Sequence, residues 1–90
     1  MTSVVDVRHE DFDVYIGRKH GRYPKSIWAN PFVIGPDGSR AEVIAKYRDW
    51  LQTQPHLLKR IPVLKNKILG CWCHGLSCHG DVLADLANAA

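Results

Sequence analysis

No run of apolar residues approaches the roughly 20 that a helix needs to cross a bilayer. The start, Met1 to Asp6, also lacks the basic region, apolar stretch and small-residue cleavage site of a secretory leader. A cytoplasmic protein with no membrane partner is therefore expected. The cysteines are three, an odd number crowded toward one end, so they cannot staple the chain as a disulfide framework. In a reducing compartment such a cluster points instead to metal or thiol chemistry. No repeat, low-complexity tract or linker divides the 90 residues, which are too few for two hydrophobic cores. Nor does either sign of charge dominate: 12 Lys and Arg against 9 Asp and Glu leave +3. That balance suits an anionic ligand without establishing nucleic-acid binding. The cations gathered between Arg8 and Lys25, and again at Lys59, Arg60, Lys65 and Lys67, serve equally as a solvated face.

What is present reads as one ordinary globular domain spanning 1–90, with 46% hydrophobic residues to supply a modest core. "SVVDV" (3–7) and "VYIG" (14–17) are short and rich in strand formers. The link between them is too short for a helical crossover, so the two are expected to be antiparallel if they are neighbours. Residues 18–38 hold three Gly, three Pro and no sustained period, which makes a long loop. Loops of that length inside small domains tend to be functional or disordered. Ile27, Trp28, Phe32 and Ile34 argue against disorder, because they need something to pack on.

Ser39 and Glu42 fit a capping box, and Val43, Ile44, Tyr47, Trp50 and Leu51 fall on one stripe of a helix that should stop near Gln54, before Pro55. A shorter helical piece, "HLLKRI", follows, and then a strand from Ile68 to about Trp72. The last helix starts near His79 or Gly80, with Val82, Leu83, Leu86, Ala87 and Ala90 on one face and Asp81 in the first turn, where negative charge suits the helix dipole. The second strand, the helices and the third strand then make a parallel crossover. The expected fold class is a single small α/β domain with a three-stranded or slightly larger mixed sheet flanked by helices.

In such sheets ligands bind beyond the carboxyl ends of parallel strands, and a helix start offers free N–H groups to anions. "GRKHG" after the second strand and "CHGLSCHGD" after the third would share that edge. Arg18 can bind phosphate or carboxylate in two-point fashion, or pair with Asp13 or Asp81. Asn30 can contact a ligand or simply hold a turn, and Trp28 can stack on a base or pack on the sheet. Together with Cys73, Gly80 and Asp81 these are the candidate ligand-binding residues, for a phosphate-bearing small molecule or nucleotide.

The sulfurs admit two further readings. Cys71, Cys73, Cys78 and His79 offer three thiolates and an imidazole, the composition of a closed zinc site, although C-x-C followed by adjacent Cys-His is an unusual spacing. Such a site would make a zinc-stabilised module for contacting a host protein. Alternatively Cys78, at a helix start beside His79, is a nucleophile of an enzyme whose reaction class stays open, with Asp81 as an orienter of the imidazole. Cys71 in a central strand also reads as a small buried hydrophobe. Trp72, alternating with Cys71 and Cys73, should face the other side of the sheet.

"VYIGR" (14–18), "WANPF" (28–32), "YRDWL" (47–51) and "ILGCWC...CHGDVL" (68–83) together resemble the domain-of-unknown-function family numbered 4326, found in bacteria and in phages. The resemblance implies that Gly17, Arg18, Trp28, Asn30, Pro31, Phe32, Cys71, Cys73, Cys78, His79 and Gly80 are signature positions, with His74 outside the signature. It implies no activity or cofactor. Phage membership would favour a nucleotide or nucleic-acid context. The cysteine segment is also similar, over a short stretch, to the uncharacterised family numbered 488.

Overall fold

The computed structural model describes residues 1–72 and 76–90, so the expectations that concern Cys73 and His74 lie outside the described residues. Three strands, β1 (Ser3–Asp6), β2 (Val14–Tyr15) and β3 (Ile68–Cys71), form one sheet in the order β1-β3-β2. Helix α1 (Arg40–Leu51), the one-turn helix α2 (Pro55–Leu58), a 3-10 turn (Ile61–Leu64) and helix α3 (His79–Ala89) complete the small α/β domain.

The sheet is parallel throughout rather than mixed. Ser3 to Asp6 register with Ile68 to Cys71, and Val14 and Tyr15 with Leu69 and Gly70. β1 and β2 are thus not neighbours, and the antiparallel pair expected for neighbouring strands is not formed. The reason lies in β3. A parallel return normally takes a dozen or more residues because it carries a helix across the sheet. Here the loop 7–13 crosses β3 directly: Val7 N–H donates to Cys71 O at 3.1 Å and Asp13 N–H to Ile68 O at 2.8 Å. Gly70 makes room for it, since a Cβ there would lie 2.6 Å from Phe12 Cγ and 2.8 Å from Val7 Cγ1.

The two faces of the sheet are therefore covered differently. Leu69 and Cys71 of β3, with Val4 and Ile16, belong to the core cluster that Tyr47 and Leu51 of α1 and Val82, Leu83 and Ala87 of α3 complete. On the other side the Phe12, Tyr15, Tyr23 and Trp72 rings pack together, Tyr15 and Tyr23 stacked at 4.7 Å. Trp72 thus leaves the strand toward the aromatic side, as the alternation requires, and its Nε1–H donates to Tyr15 Oη at 3.1 Å.

Local rules account for both long helices. Ser39 Oγ accepts from Glu42 N–H at 3.2 Å while Glu42 Oε1 accepts from Ser39 N–H at 2.9 Å, the expected capping box, and Val43, Tyr47 and Leu51 are the buried stripe. α3 carries the same device with a sulfur: Cys78 Sγ accepts from Gly80 N–H and Asp81 Oδ2 accepts from Cys78 N–H, each at 3.3 Å. α3 lies tight on the sheet because Gly80 has no side chain; a Cβ there would be 2.8 Å from Ile16 Cδ1 and 3.0 Å from Val4. At its far end Asn88 and Thr2 exchange hydrogen bonds of 2.7 and 3.1 Å, and buried Thr2 Oγ1 donates to Leu64 O at 2.6 Å.

The crossing loop yields a prediction. Gly70→Ala should destabilise the domain by about 1–3 kcal/mol, the usual penalty for overfilling a packed site. Adding Phe12→Ala should cost less in that background than in the wild type. Urea midpoints of the four proteins in this cycle measure the coupling; additive effects would mean that Phe12 does not rest on Gly70.

Candidate functional site

At the carboxyl ends of β2 and β3 a cleft of about 470 Å³ opens between the long loop, the start of α1 and the start of α3. Arg18, Asn30, Cys71, Cys78 and His79 all line it. Arg18, which follows β2, thus shares the cleft with Cys71 at the end of β3 and Cys78 at the start of α3.

Arg18 is the anchor of the long loop. Its Nε and Nη2 donate to Asn30 O at 3.1 and 2.9 Å, and Nη2 donates to Phe32 O at 2.6 Å. The expected pairing with Asp13 or Asp81 is not made: among the described residues no carboxylate lies within ion-pair distance of Arg18. The guanidinium is thus spent on carbonyls through Nε and Nη2, while its full charge stays beside the cleft. Asn30 is a turn residue here. Its Oδ1 accepts from Phe32 N–H at 2.9 Å and its Nδ2 donates to Val43 O at 3.4 Å, tying the loop to α1.

His79 is held from behind. One ring nitrogen, Nε2, lies 2.8 Å from Ile16 O, and because a carbonyl only accepts, Nε2 carries the proton and Nδ1 keeps its lone pair in the neutral ring. The ring also meets Tyr47 edge-on at 5.0 Å. Burial holds the imidazole below its ordinary value, the nearby Arg18 charge adds to that, and the Ile16 carbonyl and Asp81 pull the other way. Cys78 Sγ has its described contacts with Gly80 N–H and with Cys71 Sγ, 3.2 Å away. The His79 ring nitrogen Nε2 is turned to Ile16 O, while Cys78 Sγ faces Gly80 N–H and Cys71 Sγ.

Several candidates stand elsewhere. Trp28 is 4% exposed and belongs to the core, where its carbonyl accepts from Tyr47 Oη at 2.8 Å. Its indole packs rather than opening onto the cleft. Gly80 and Asp81 do not line the cleft either; one permits the close approach of α3 and the other caps it. Cys71 is buried in β3, as its strand position suggests. Of the four proposed metal ligands Cys73 lies outside the described residues, and among the described residues no three His, Cys, Asp or Glu side chains gather as a metal site.

The cleft also holds residues that sequence reasoning passed over: Lys19, Arg40 and Ser77, with an apolar lining from Phe32, Ile34 and Ile44. Arg40 opens α1 and reaches across to the other wall, Nη1 donating to Ser77 O at 2.9 Å. A signal existed, since a cation in the first turn opposes the helix dipole and so asks for another reason to be there. His20, stacked on Trp72 at 4.1 Å, completes the mouth. Arg18, Lys19 and Arg40 therefore meet in a lining that contains no Asp or Glu among the described residues.

Against known proteins, a family model described as "Domain of unknown function (DUF4326)" matches residues 3–89. The chain is also similar to "Uncharacterized protein R718" of Acanthamoeba polyphaga mimivirus, 39% identical over 89 residues that cover 86% of this chain and 68% of that protein. That relative comes from a giant virus, not from a bacterium or phage. No solved structure matches.

The buried imidazole sets a pH dependence. Between the ordinary histidine value of about 6.5 and the lower value in the folded chain, the unfolded state binds a proton that the folded state refuses. Stability should therefore be full above about pH 6.5 and fall as the pH drops below it. His79→Gln should flatten that slope relative to wild type in urea titrations run from about pH 7.5 to 5. The carboxyls of Asp6, held low by Arg8, and of Glu42, held low by the Ser39 amide, act only in the more acidic carboxylate range. A slope that survives the substitution would show that His79 is not its source.

Proposed function

The chain belongs to the family described as domain of unknown function DUF4326, and on that footing we propose that its cleft binds a phosphate-bearing small molecule, a nucleotide first among them. The observation that carries this reading is the lining itself: Arg18, Lys19 and Arg40 around one opening, with no carboxylate in the lining among the described residues. Three cations held together repel one another, and an anion relieves that repulsion while accepting their hydrogen bonds. Charge-assisted bonds of this kind contribute about 1.5–3 kcal/mol each.

The rest of the lining argues for more than a bare anion. Phe32, Ile34, Val43 and Ile44 offer an apolar side on which a ring or carbon skeleton can settle, and the volume falls within the range of about 300–1,000 Å³ usual for small-molecule sites. The position beyond the carboxyl ends of parallel strands is where α/β sheets hold ligands.

The competing zinc-module reading, with a host protein as partner, draws on the nearness of the Cys71 and Cys78 sulfurs alone. Elemental analysis of protein purified without chelator separates the two: a full equivalent of zinc would favour the module.

Titration with nucleoside phosphates and inorganic phosphate, followed by thermal shift and amide NMR, tests the anion site. Shifts are expected at Arg18, Lys19, Arg40 and His79, weakening as salt rises, with an uncharged nucleoside as control. Lys19→Glu, which alters an exposed side chain, should reduce affinity by about tenfold or more, equivalent to about 1.4 kcal/mol. Equal binding of the uncharged nucleoside, or no response at millimolar phosphate compounds, would refute the proposal.

A further inference from the structure

The two buried cysteines have no role in holding an anion, yet their geometry is specific. Cys71 ends β3 and Cys78 caps α3, and their sulfurs lie 3.2 Å apart, a contact in which either can donate. The surroundings distinguish them. Cys78 Sγ accepts the Gly80 N–H at the start of an 11-residue helix, where unpaired amides and the dipole favour negative charge on sulfur. Cys71 sits deeper, 2% exposed against 9% for Cys78. The amide contact, the helix start and the greater exposure make Cys78 the attacking sulfur, with Cys71 as the second thiol beside it. Both border the cleft that carries Arg18, Lys19 and Arg40.

A nucleophilic cap cysteine with a second thiol directly behind it is the arrangement that thiol–disulfide exchange requires. We propose that Cys78 and Cys71 form a dithiol centre that reduces an anionic disulfide entering through the cleft, the class of which glutathione disulfide, with its carboxylates, is the simplest probe. The Cys78 thiolate attacks one sulfur of the substrate disulfide; the Cys78–substrate S–S bond forms, the substrate S–S bond breaks, and one thiolate leaves and takes a proton from water. Cys71 then loses its proton to water and attacks Cys78 Sγ, expelling the second substrate thiolate, which is protonated in turn. The dithiol gives up two electrons and the substrate disulfide gains them as two thiols. Closing the Cys71–Cys78 bond asks the sulfurs to approach by about 1.2 Å, from 3.2 Å to the covalent distance of about 2.05 Å.

The full chain equilibrated in glutathione redox buffers, quenched with an alkylating agent and mapped by peptide mass spectrometry tests this. A Cys71–Cys78 cross-link is expected in the wild type and in Cys73→Ser, and Cys71→Ser should accumulate glutathione on Cys78, with no corresponding adduct on Cys71 in Cys78→Ser. Should the serine variants fail to fold, the wild-type map and the alkylation rate of Cys78 still decide. A cross-link or adduct formed through Cys73, a Cys78 no faster to alkylate than a cysteine in an unstructured peptide, or a tightly held zinc ion shielding the sulfurs would each overturn the proposal. None of these outcomes depends on whether phosphate compounds bind.

Discussion

β3 is the strand on which the other elements hang. It is hydrogen-bonded in parallel register on both sides, to β1 and to β2, and it presents a different surface on each face. Toward the helices it offers Leu69 and Cys71, both buried; toward the aromatic side it offers the bare Gly70 backbone. That glycine leaves room for the loop 7–13 to pass close over the sheet, so that β1 and β2 flank the same strand with little chain between them. The parallel arrangement in turn sends the segments after β2 and β3 to a common edge.

That edge is built by contacts that are mainly structural, and the site is a consequence of them. Arg18 holds the long loop through two carbonyls, Asn30 ties the same loop to α1, and Arg40 braces α1 against the segment before α3. Each of these cations donates to neutral carbonyls rather than to a carboxylate, so the bonds fix the positions without cancelling the charge. Rigidity and positive potential come from the same side chains. Under the proposed function, Arg18 and Arg40 would need little ordering to meet an anion, because both are already held.

The α3 N-terminus joins that edge to the sulfur chemistry. Cys78 substitutes a sulfur for the usual oxygen of a helix cap, so a thiol that lines the cleft also caps α3. His79, one residue on, points its Nε2–H at Ile16 O, and burial holds its imidazole below the ordinary value, so adjacent side chains of the first turn take different partners.

Some of this was legible in the chain itself. The capping box at Ser39 and Glu42, the Val43–Tyr47–Leu51 stripe and the start of the last helix depend on groups within one or two turns of one another, so local spacing suffices to find them. The same holds for the single domain and for the assignment of three strands. Strand order, the parallel register of β1, the burial of Trp28, the carbonyl partners of Arg18, the arrival of Arg40 at the cleft and the close approach of the Cys71 and Cys78 sulfurs were decided by tertiary structure alone. They follow from hydrogen bonds and packing between residues far apart in sequence, where a missing side chain at Gly70 counts for more than any local propensity.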